Sequence, residues 1–321
     1  MSSWTIPSVP PHDWFLCLDI DAYFDHEHQP ETIFEEGFTR PVHAGDDEIV
    51  VTVFFNGDPD QPEFHVECKD ALTKDQIEDA NSQLKRILGT ELDIRPLYDQ
   101  AGDDPVLGPM LQDLYGLKRM SRGDVFEDAV NRVVKSNISH KPTAKEMVYG
   151  VRKGYGVQLE GKDGLISSWP RPHQLAKADP AVLREYKLSH RKGEYIVGLS
   201  HEILSGDIDP FHLERIPSEH FYNRMKKVRG IGPSISQNLL IFRNRTDCVF
   251  PSTKRKGEEK GLRRWIIYSY GGDPDAITEE EFEEMTKNWR GYEAAGIEFL
   301  HLNWLLKEKE KQRKRKKKKK K

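Results

Sequence analysis

The most constraining feature of this 321-residue chain is the heptapeptide VRGIGPS at residues 228–234. The segments on either side of it, residues 221–227 and 235–241, both predict helices. Gly230 and Gly232 permit a tight turn between them. Pro233 suits the first turn of the second helix, where its missing N–H costs nothing. We therefore predict two helices joined by a hairpin, with Ile231 pinning one helix to the other.

Such a hairpin predicts a site for an anion. Backbone N–H groups at a helix N-terminus attract negative charge, above all phosphate. Lys226, Lys227 and Arg229 add positive charge beside the turn. The heptapeptide alone leaves open an ordinary helix–helix turn that happens to contain two glycines.

The charge of the chain is distributed unevenly. Residues 307–321 carry 12 Lys/Arg and 2 Glu, while the other 306 residues carry 37 Lys/Arg and 51 Asp/Glu. A dense block of like charge is typical of a disordered segment, which can serve as a polyanion tether, a localisation tag or a solubilising tail. The acidic remainder can bind nucleic acid only through a local basic patch.

Composition also restricts the compartment. The sequence has no apolar run long enough to span a membrane and no signal-peptide pattern at its start. Cys17, Cys68 and Cys248 are widely spaced, which argues for a reducing compartment and against a zinc or iron–sulfur cluster. We expect an intracellular protein, cytoplasmic (nucleoid-associated) or nuclear, with no metal site and no membrane partner.

The N-terminal third predicts a small α+β domain. Residues 1–12 are rich in Pro and Ser and predict a flexible arm. Strand patterns follow at residues 14–20, 48–55 and 63–68, separated by turn sequences. Helices are predicted at residues 29–37 and 73–88. These elements indicate an antiparallel-sheet domain over residues 13–95.

From Pro96 onward no strand pattern is found. Many short helical segments are separated by Gly, Pro and Asp, and no heptad persists. We therefore predict an all-α orthogonal helical bundle over residues 96–306, which contains the hairpin. A basic disordered tail is expected at residues 307–321.

Several local motifs occur in a telling order: DPVL at 104–107, FEDAV at 126–130, ADP at 178–180, LSHRKGEYI at 188–196, GIGP at 230–233, VFP at 249–251, GLRR at 261–264 and WRGY at 289–292. In this order they resemble the DNA-3-methyladenine glycosylase II branch of the helix-hairpin-helix-GPD superfamily of base-excision DNA glycosylases. The resemblance covers roughly residues 12–306.

The resemblance implies the removal of damaged bases, chiefly alkylated purines, by cleavage of the N-glycosidic bond. Such an enzyme flips the nucleotide out of the duplex, and a carboxylate stabilises the charge that develops on the sugar. The implied partner is double-stranded DNA containing damaged bases, bound by a monomer without an organic cofactor.

The carboxylate is where the chain departs from the family pattern. The family has Asp two residues before the Gly of GLRR, whereas this chain has Glu259 there and a longer loop after residues 249–251. The extra methylene adds a reach of about 1 Å, and a misplacement of that size can cost about 100-fold in rate. We expect Glu259 to be catalytic. Asp247 is the runner-up, and a non-catalytic helix-hairpin-helix DNA-binding protein with a weakened or lost active site is the alternative.

Further roles are implied by position in the family pattern. Bifunctional lyases carry a Lys at the position of Ser234, so the resemblance implies a monofunctional glycosylase. Asn137 is expected to fill the gap that the flipped base leaves. The expected DNA contacts of the hairpin are Gly230, Ile231, Gly232, Pro233 and Ser234. The expected base pocket consists of Tyr222, Tyr292 and His301.

Overall fold

The computed structural model describes residues 1–16, 32–34, 36–161, 164–241, 244–255 and 257–319. Its N-terminal region contains a five-stranded antiparallel sheet in the order β1-β5-β4-β3-β2. The strands are β1 Ser2–Pro7, β2 Thr32–Phe34, β3 Gly37–Ala44, β4 Asp47–Phe55 and β5 Glu63–Cys68. Helix α1, Lys74–Leu88, packs against β3.

Local sequence explains these elements. In β4, Ile49, Val51 and Val53 alternate with more exposed residues, and their side chains are buried in the sheet core. Helix α1 begins after Thr73, whose hydroxyl accepts the Gln76 N–H, and ends at Gly89, which has a left-handed backbone (φ +68°). The sheet domain therefore takes the antiparallel form that the alternation predicts.

The flexible arm predicted for residues 1–12 is wrong for residues 2–7, which form β1. This strand pairs with β5, with Trp4 opposite Val66, and Ile6 is fully buried in the sheet core. A partner strand about 60 residues away supplies the hydrogen bonds that a Pro- and Ser-rich composition does not suggest.

Two other N-terminal predictions need revision. Trp14 begins a helical turn instead of a strand, while residues 17–20 lie outside the described residues. Of the helix predicted at residues 29–37, residues 32–34 form β2 and Gly37 begins β3; residues 29–31 and 35 also lie outside the described part.

The rest of the chain is mostly helical, and its buried side chains form a second core from Ile94 to Leu302. The helices are α2 Arg95–Ala101, α3 Leu107–Asp113, α4 Val125–Lys135, α5 Lys141–Tyr155, α6 Pro172–Leu175, α7 His190–Leu204, α8 Pro210–Arg215, α9 Ser218–Met225, α10 Pro233–Ile241, α11 Gly261–Ser269, α12 Glu279–Thr286 and α13 Glu293–Lys319. Two 3₁₀ helices lie at Val182–Tyr186 and Lys287–Trp289.

Two short hairpins correct the expectation that no strand follows Pro96. β6 Gln158–Gly161 pairs with β7 Gly164–Ser167, and β8 Lys254–Arg255 pairs with β9 Glu258–Glu259. Hairpins this short leave almost no alternating pattern in a sequence. The second hairpin fixes the backbone at Glu259.

Helix α13 also corrects the predicted disorder for residues 307–319, because it continues to Lys319; residues 320 and 321 lie outside the described part. Lys, Arg and Glu are good helix formers, and Glu–Lys pairs at helical spacing add support. Lys311 pairs with Glu308 at 2.8 Å, and Lys314 pairs with Glu310 at 2.6 Å.

Polar contacts join the sheet to the helical region. The buried Arg40 of β3 pairs with Glu127 of α4 at 3.4 Å. Arg171, at the start of α6, pairs with Glu48 of β4 at 3.0 Å. The first contact holds α4 against the sheet, and the second holds the start of α6. Within the described residues, no helix combines the length and the apolarity needed to cross a bilayer.

Candidate functional site

Helices α9 and α10 are joined by a turn at residues 226–232, called here the hairpin turn. Val228 and Ile231 of this turn are buried in the helical core. The Ile231 N–H donates to the Val228 carbonyl at 3.0 Å, and the Ser236 N–H donates to the Gly232 carbonyl at 3.0 Å. The turn is therefore held from inside by two apolar side chains, while its outer side faces solvent.

Gly230 is required by both backbone and packing. Its φ of +91° is unfavourable for residues that carry a Cβ. A Cβ here would also lie 2.4 Å from the ring of Tyr195. The position of the Tyr195 ring is itself fixed by a hydrogen bond, because Arg191 Nη2 donates to the Tyr195 hydroxyl at 2.9 Å.

Gly232 is different. Its φ is not positive, and a Cβ here would meet no atom within 4 Å. Gly232, Pro233 and Ser234 are exposed. The first N–H groups of α10 are those that a helix leaves without internal partners, so this exposed end can accept an anion.

Asn137 lies at the tip of the turn between α4 and α5. It is exposed and has a left-handed backbone (φ +61°), which Asn tolerates better than most residues. Lys192 of α7 supports the turn, because its Nζ donates to the Val134 carbonyl at 2.8 Å. Burial lowers the pKa of Lys192.

The hairpin turn and the Asn137 turn face each other across a single cleft of about 910 Å³, called here the basic cleft. It brings together all six residues expected to contact DNA. Six cationic residues line it as well: Arg132, Lys135, Lys141, Lys226, Lys227 and Arg229. Positive charge concentrated in a concave surface attracts a polyanion.

The basic cleft contains residues that the sequence analysis did not place in a site. Tyr195 and Asn238 line it, together with Arg132 and Lys135 of α4. Asn238 follows Ser234 by one helical turn, so its spacing could have revealed it. Arg132 and Lys135 lie about 100 residues before the hairpin turn in the sequence. No local sequence pattern predicts that they line the same cleft.

Glu259 is buried, with 1% of its surface exposed. Its carboxylate accepts from Ser252 Oγ at 2.6 Å, the Thr253 N–H at 2.6 Å and the Lys260 N–H at 3.2 Å. Arg263 Nε lies 3.6 Å from the same carboxylate.

Two opposing effects act on the proton affinity of Glu259. Burial by itself raises the pKa of Glu259. The hydrogen bonds from Ser252, Thr253 and Lys260 and the charge of Arg263 lower it by more than burial raises it, so the pKa lies below its ordinary value. The group is therefore anionic at neutral pH and closed off from solvent.

Asp247, the alternative carboxylate, has structural partners. Its oxygens accept from both ends of the Arg245 guanidinium and from Ser218 Oγ, the latter at 2.7 Å. Burial raises the pKa of Asp247, but these hydrogen bonds outweigh burial and lower it. Asp247 thus links the loop after α10 to the start of α9.

The three expected pocket residues do not share one described cavity. Tyr222 lines a second cavity of about 570 Å³ with Phe250 and Pro251, and Lys226 lines both cavities. Tyr292 is half-buried against the helical core. The half-buried His301 packs on Trp265, with ring centroids 4.4 Å apart.

The described residues include no group of three or more His, Cys, Asp or Glu side chains suited to a metal ion. Cys68 and Cys248 are both buried, and each has a free thiol. Cys17 lies outside the described residues.

No protein-family model matches the chain. It is 26% identical to the DNA-3-methyladenine glycosylase of Bacillus subtilis (strain 168) over 163 residues, which is 50% of this chain and 52% of that protein. The chain spans about half the length of the curated relatives it matches.

Solved structures match almost the whole chain. The 3-methyladenine DNA glycosylase of Archaeoglobus fulgidus has a TM-score of 0.71 at 19% identity, covering 94% of this chain and 99% of its own. The Clostridium acetobutylicum 8-oxoguanine glycosylase/lyase, in complex with double-stranded DNA, has a TM-score of 0.63 at 14% identity, covering 94% and 98%. The chain therefore shares the fold of these 3-methyladenine and 8-oxoguanine DNA glycosylases, and about half of it is similar in sequence to a DNA-3-methyladenine glycosylase.

Proposed function

We propose that this protein is a monofunctional DNA glycosylase that removes damaged, alkylated bases from duplex DNA. The observation that carries the proposal is the basic cleft, where the hairpin turn faces Asn137 among six cationic residues. The relatives named for 3-methyladenine support the alkylated substrate, and the Clostridium glycosylase bound to double-stranded DNA supports the partner. The protein acts as a monomer on chromosomal DNA and uses no organic cofactor.

In this proposal the hairpin turn binds the phosphate backbone beside the damaged nucleotide. The exposed N-terminus of α10 offers its N–H groups to a phosphate, and the open space at Gly232 lets the backbone approach. Lys227 and Arg229 are exposed beside the turn and contribute charge. Asn137 projects from the opposite wall and occupies the gap left by the flipped nucleotide.

The chemistry follows from the charge that develops on the sugar. As the C1′–N bond breaks, its electron pair leaves with the cationic base, which departs neutral. The sugar becomes electron-deficient, and a water adds at C1′ and loses a proton. An anionic carboxylate at this sugar stabilises the charge and orients the water. Glu259, anionic at neutral pH, is the residue proposed for this role.

The burial of Glu259 sets a condition on this step. Its carboxylate is enclosed by Ser252 and Thr253, so contact with a sugar requires these two residues to move aside. Since the carboxylate of Glu259 already accepts hydrogen bonds that stabilise its own loop, a purely structural role also explains its burial. This observation favours a second candidate function: a DNA-binding protein of the same fold without glycosylase activity.

Ser234 favours hydrolysis over a lyase reaction. A Schiff base needs an amine near C1′, and the Ser234 hydroxyl cannot supply one. Borohydride is therefore expected to trap no protein–DNA adduct. Trapping by Lys226 or Lys227, which line the same cleft, would contradict the monofunctional assignment.

The deciding experiment measures the release of methylated bases from duplex DNA by the native chain, Glu259→Gln and the matched control Glu258→Gln. Glu258 is exposed and pairs with Lys260, so its change leaves the carboxylate at position 259 intact. We expect release by the native chain and by Glu258→Gln, and loss of at least about 100-fold in Glu259→Gln with DNA affinity retained.

Other outcomes separate the candidates. Equal release by all three proteins would move the catalytic role to another carboxylate. No release by the native chain, on DNA that it binds, across 3-methyladenine, 7-methylguanine and hypoxanthine substrates, would favour the non-catalytic candidate.

A further inference from the structure

The last helix extends beyond the folded body of the protein. Leu302 of α13 is buried in the helical core, and Leu305 and Leu306 pack against it from partly buried positions. From Lys307 the helix continues to Lys319, and Lys307, Lys311, Lys314 and Arg315 are exposed. Residues 307–319 are called here the C-terminal extension. Its root is anchored by apolar packing, and its described cations face solvent.

The charge of the C-terminal extension exceeds what its own acidic residues can neutralise. Residues 307–319 carry 10 Lys/Arg against Glu308 and Glu310. The two glutamates pair with Lys311 and Lys314, but exposed pairs of this kind contribute at most about 1 kcal/mol and exchange readily with another anion. The extension therefore presents a large excess of positive charge.

The kind of partner follows from what the extension lacks. Residues 307–321 contain no apolar residue, so this helix has no face to insert into a lipid bilayer or to pack into an apolar protein groove. Only an electrostatic partner fits. Thirteen helical residues span about 20 Å, and duplex DNA carries about one negative charge per 1.7 Å of its axis. A duplex therefore offers phosphate charges along its axis at a density comparable to that of the cations along the extension.

We propose that the C-terminal extension is a second DNA-binding surface, which contacts the phosphate backbone of duplex DNA without reading sequence or damage. It acts outside the basic cleft and binds undamaged DNA. Its contribution comes from the release of condensed counterions and therefore weakens as salt rises. By retaining the protein on undamaged duplex, it increases the chance that the basic cleft meets a damaged site.

The test compares two variants that each lose three positive charges. One replaces Lys311, Lys314 and Arg315 with Gln, which keeps a good helix former at each position. The matched control replaces Lys69, Lys74 and Lys177, which are exposed elsewhere on the protein, with Gln. Fluorescence anisotropy on an undamaged 30-base-pair duplex gives the affinity at KCl concentrations between 50 and 300 mM.

The extension variant is expected to bind about tenfold more weakly at 50 mM KCl, and its slope of log K against log[KCl] to be shallower by about 1 to 3. The control should match the native chain. A chain ending at Leu306 should show a larger loss of slope in the same direction. Because the duplex carries no lesion, this result is independent of base release. The experiment therefore tests the extension separately from the proposed glycosylase activity.

Three results would overturn the proposal. One is a slope and affinity equal to the control for both the extension variant and the shortened chain. Another is tighter DNA binding on truncation together with loss of a dimer in sedimentation, which would place the extension on the acidic surface of a second copy. The third is an unchanged DNA slope with lost binding to phosphatidylserine vesicles, which would identify an anionic membrane as the partner.

Discussion

The hairpin turn and the Glu259 carboxylate differ in how far their hydrogen-bonding capacity is already used. Around Gly232 the backbone is exposed, and a Cβ would meet open space. Around Glu259 the carboxylate accepts three hydrogen bonds and is almost fully buried. The proposed binding face is thus open to solvent, whereas the proposed catalytic carboxylate is already hydrogen-bonded to its own chain.

This difference indicates that binding and chemistry can fail separately. A surface that needs no rearrangement binds with little reorganisation cost. In the proposed reaction the hydrogen bonds from Ser252 and Thr253 to Glu259 must first break, and the free energy for this rearrangement comes from substrate binding. Changes at the hairpin turn should therefore act on affinity, and changes around Glu259 should act on stability and rate.

The largest expected effect is on the proposed binding face at the hairpin turn. Gly232→Asp places a negative charge where a phosphate is proposed to lie, and we expect DNA affinity to fall about 100-fold (about 2.7 kcal/mol) with little change in thermal stability. The control is Gly198→Asp, because Gly198 also has open space at its Cβ and no positive φ. Equal affinity of both variants, measured by anisotropy, would remove the hairpin turn from the DNA interface.

Gly230→Ala probes the same turn from its inner side. Here φ is positive and a Cβ would collide with the Tyr195 ring, so we expect a loss of about 2 kcal/mol in the free energy of unfolding. Gly232→Ala should lose far less. Urea denaturation of both variants checks the contrast, and similar losses would show that the two glycines have the same role.

Ser252→Ala tests the closed state of Glu259. Loss of this donor to a buried carboxylate should cost about 1.5 kcal/mol at pH 7. Because the folded state lowers the pKa of Glu259, its stabilising contribution is present above the ordinary value of 4.5 and is lost as pH falls through the lower folded pKa.

Without the Ser252 hydroxyl the folded pKa rises toward its ordinary value. The deficit of Ser252→Ala relative to the native chain should therefore shrink between pH 7 and pH 3 in urea denaturation. The exposed Ser82→Ala should show no such change. A deficit that is constant across this range would mean that the hydroxyl does not act through the charge of Glu259.

The smallest effect is expected at Asn137. Gly accepts the φ of +61°, so Asn137→Gly should preserve the turn and change only what the side chain does. If Asn137 fills the gap left by a flipped base, the variant should release bases roughly fivefold more slowly, since the unpaired stack is less well supported. Single-turnover kinetics measure this, and an unchanged rate would leave the turn without that role.

Sequence reasoning succeeded where the determinants are local. Strand 48–55 and helix 73–88 carry strong periodicity and caps, and they appear as β4 and α1. The GIG turn likewise appears between two helices, because its glycines and proline act on adjacent residues. The β1 strand was missed, since its stability comes from β5 and not from its own composition.

The site divides along the same line. The hairpin turn and Asn137 are specified by short motifs, and the structure places them on one cleft. The enclosure of Glu259 depends on the β8–β9 pairing, which orients Ser252 and Thr253 toward the carboxylate. The direction of a side chain in an irregular loop has no signature in residue spacing, so only the folded chain reveals it.

The pairing of β1 with β5 has a practical consequence for handling the protein. Because β1 is the terminal strand of the sheet, a chain shortened to begin at residue 8 would leave Glu63–Cys68 paired with β4 on one edge and unpaired on the other. An unprotected strand of this kind recruits strands from other molecules. Purification handles are therefore better attached by a spacer ahead of Ser2, and shortened chains should be screened for self-association by light scattering before any DNA-binding result is interpreted.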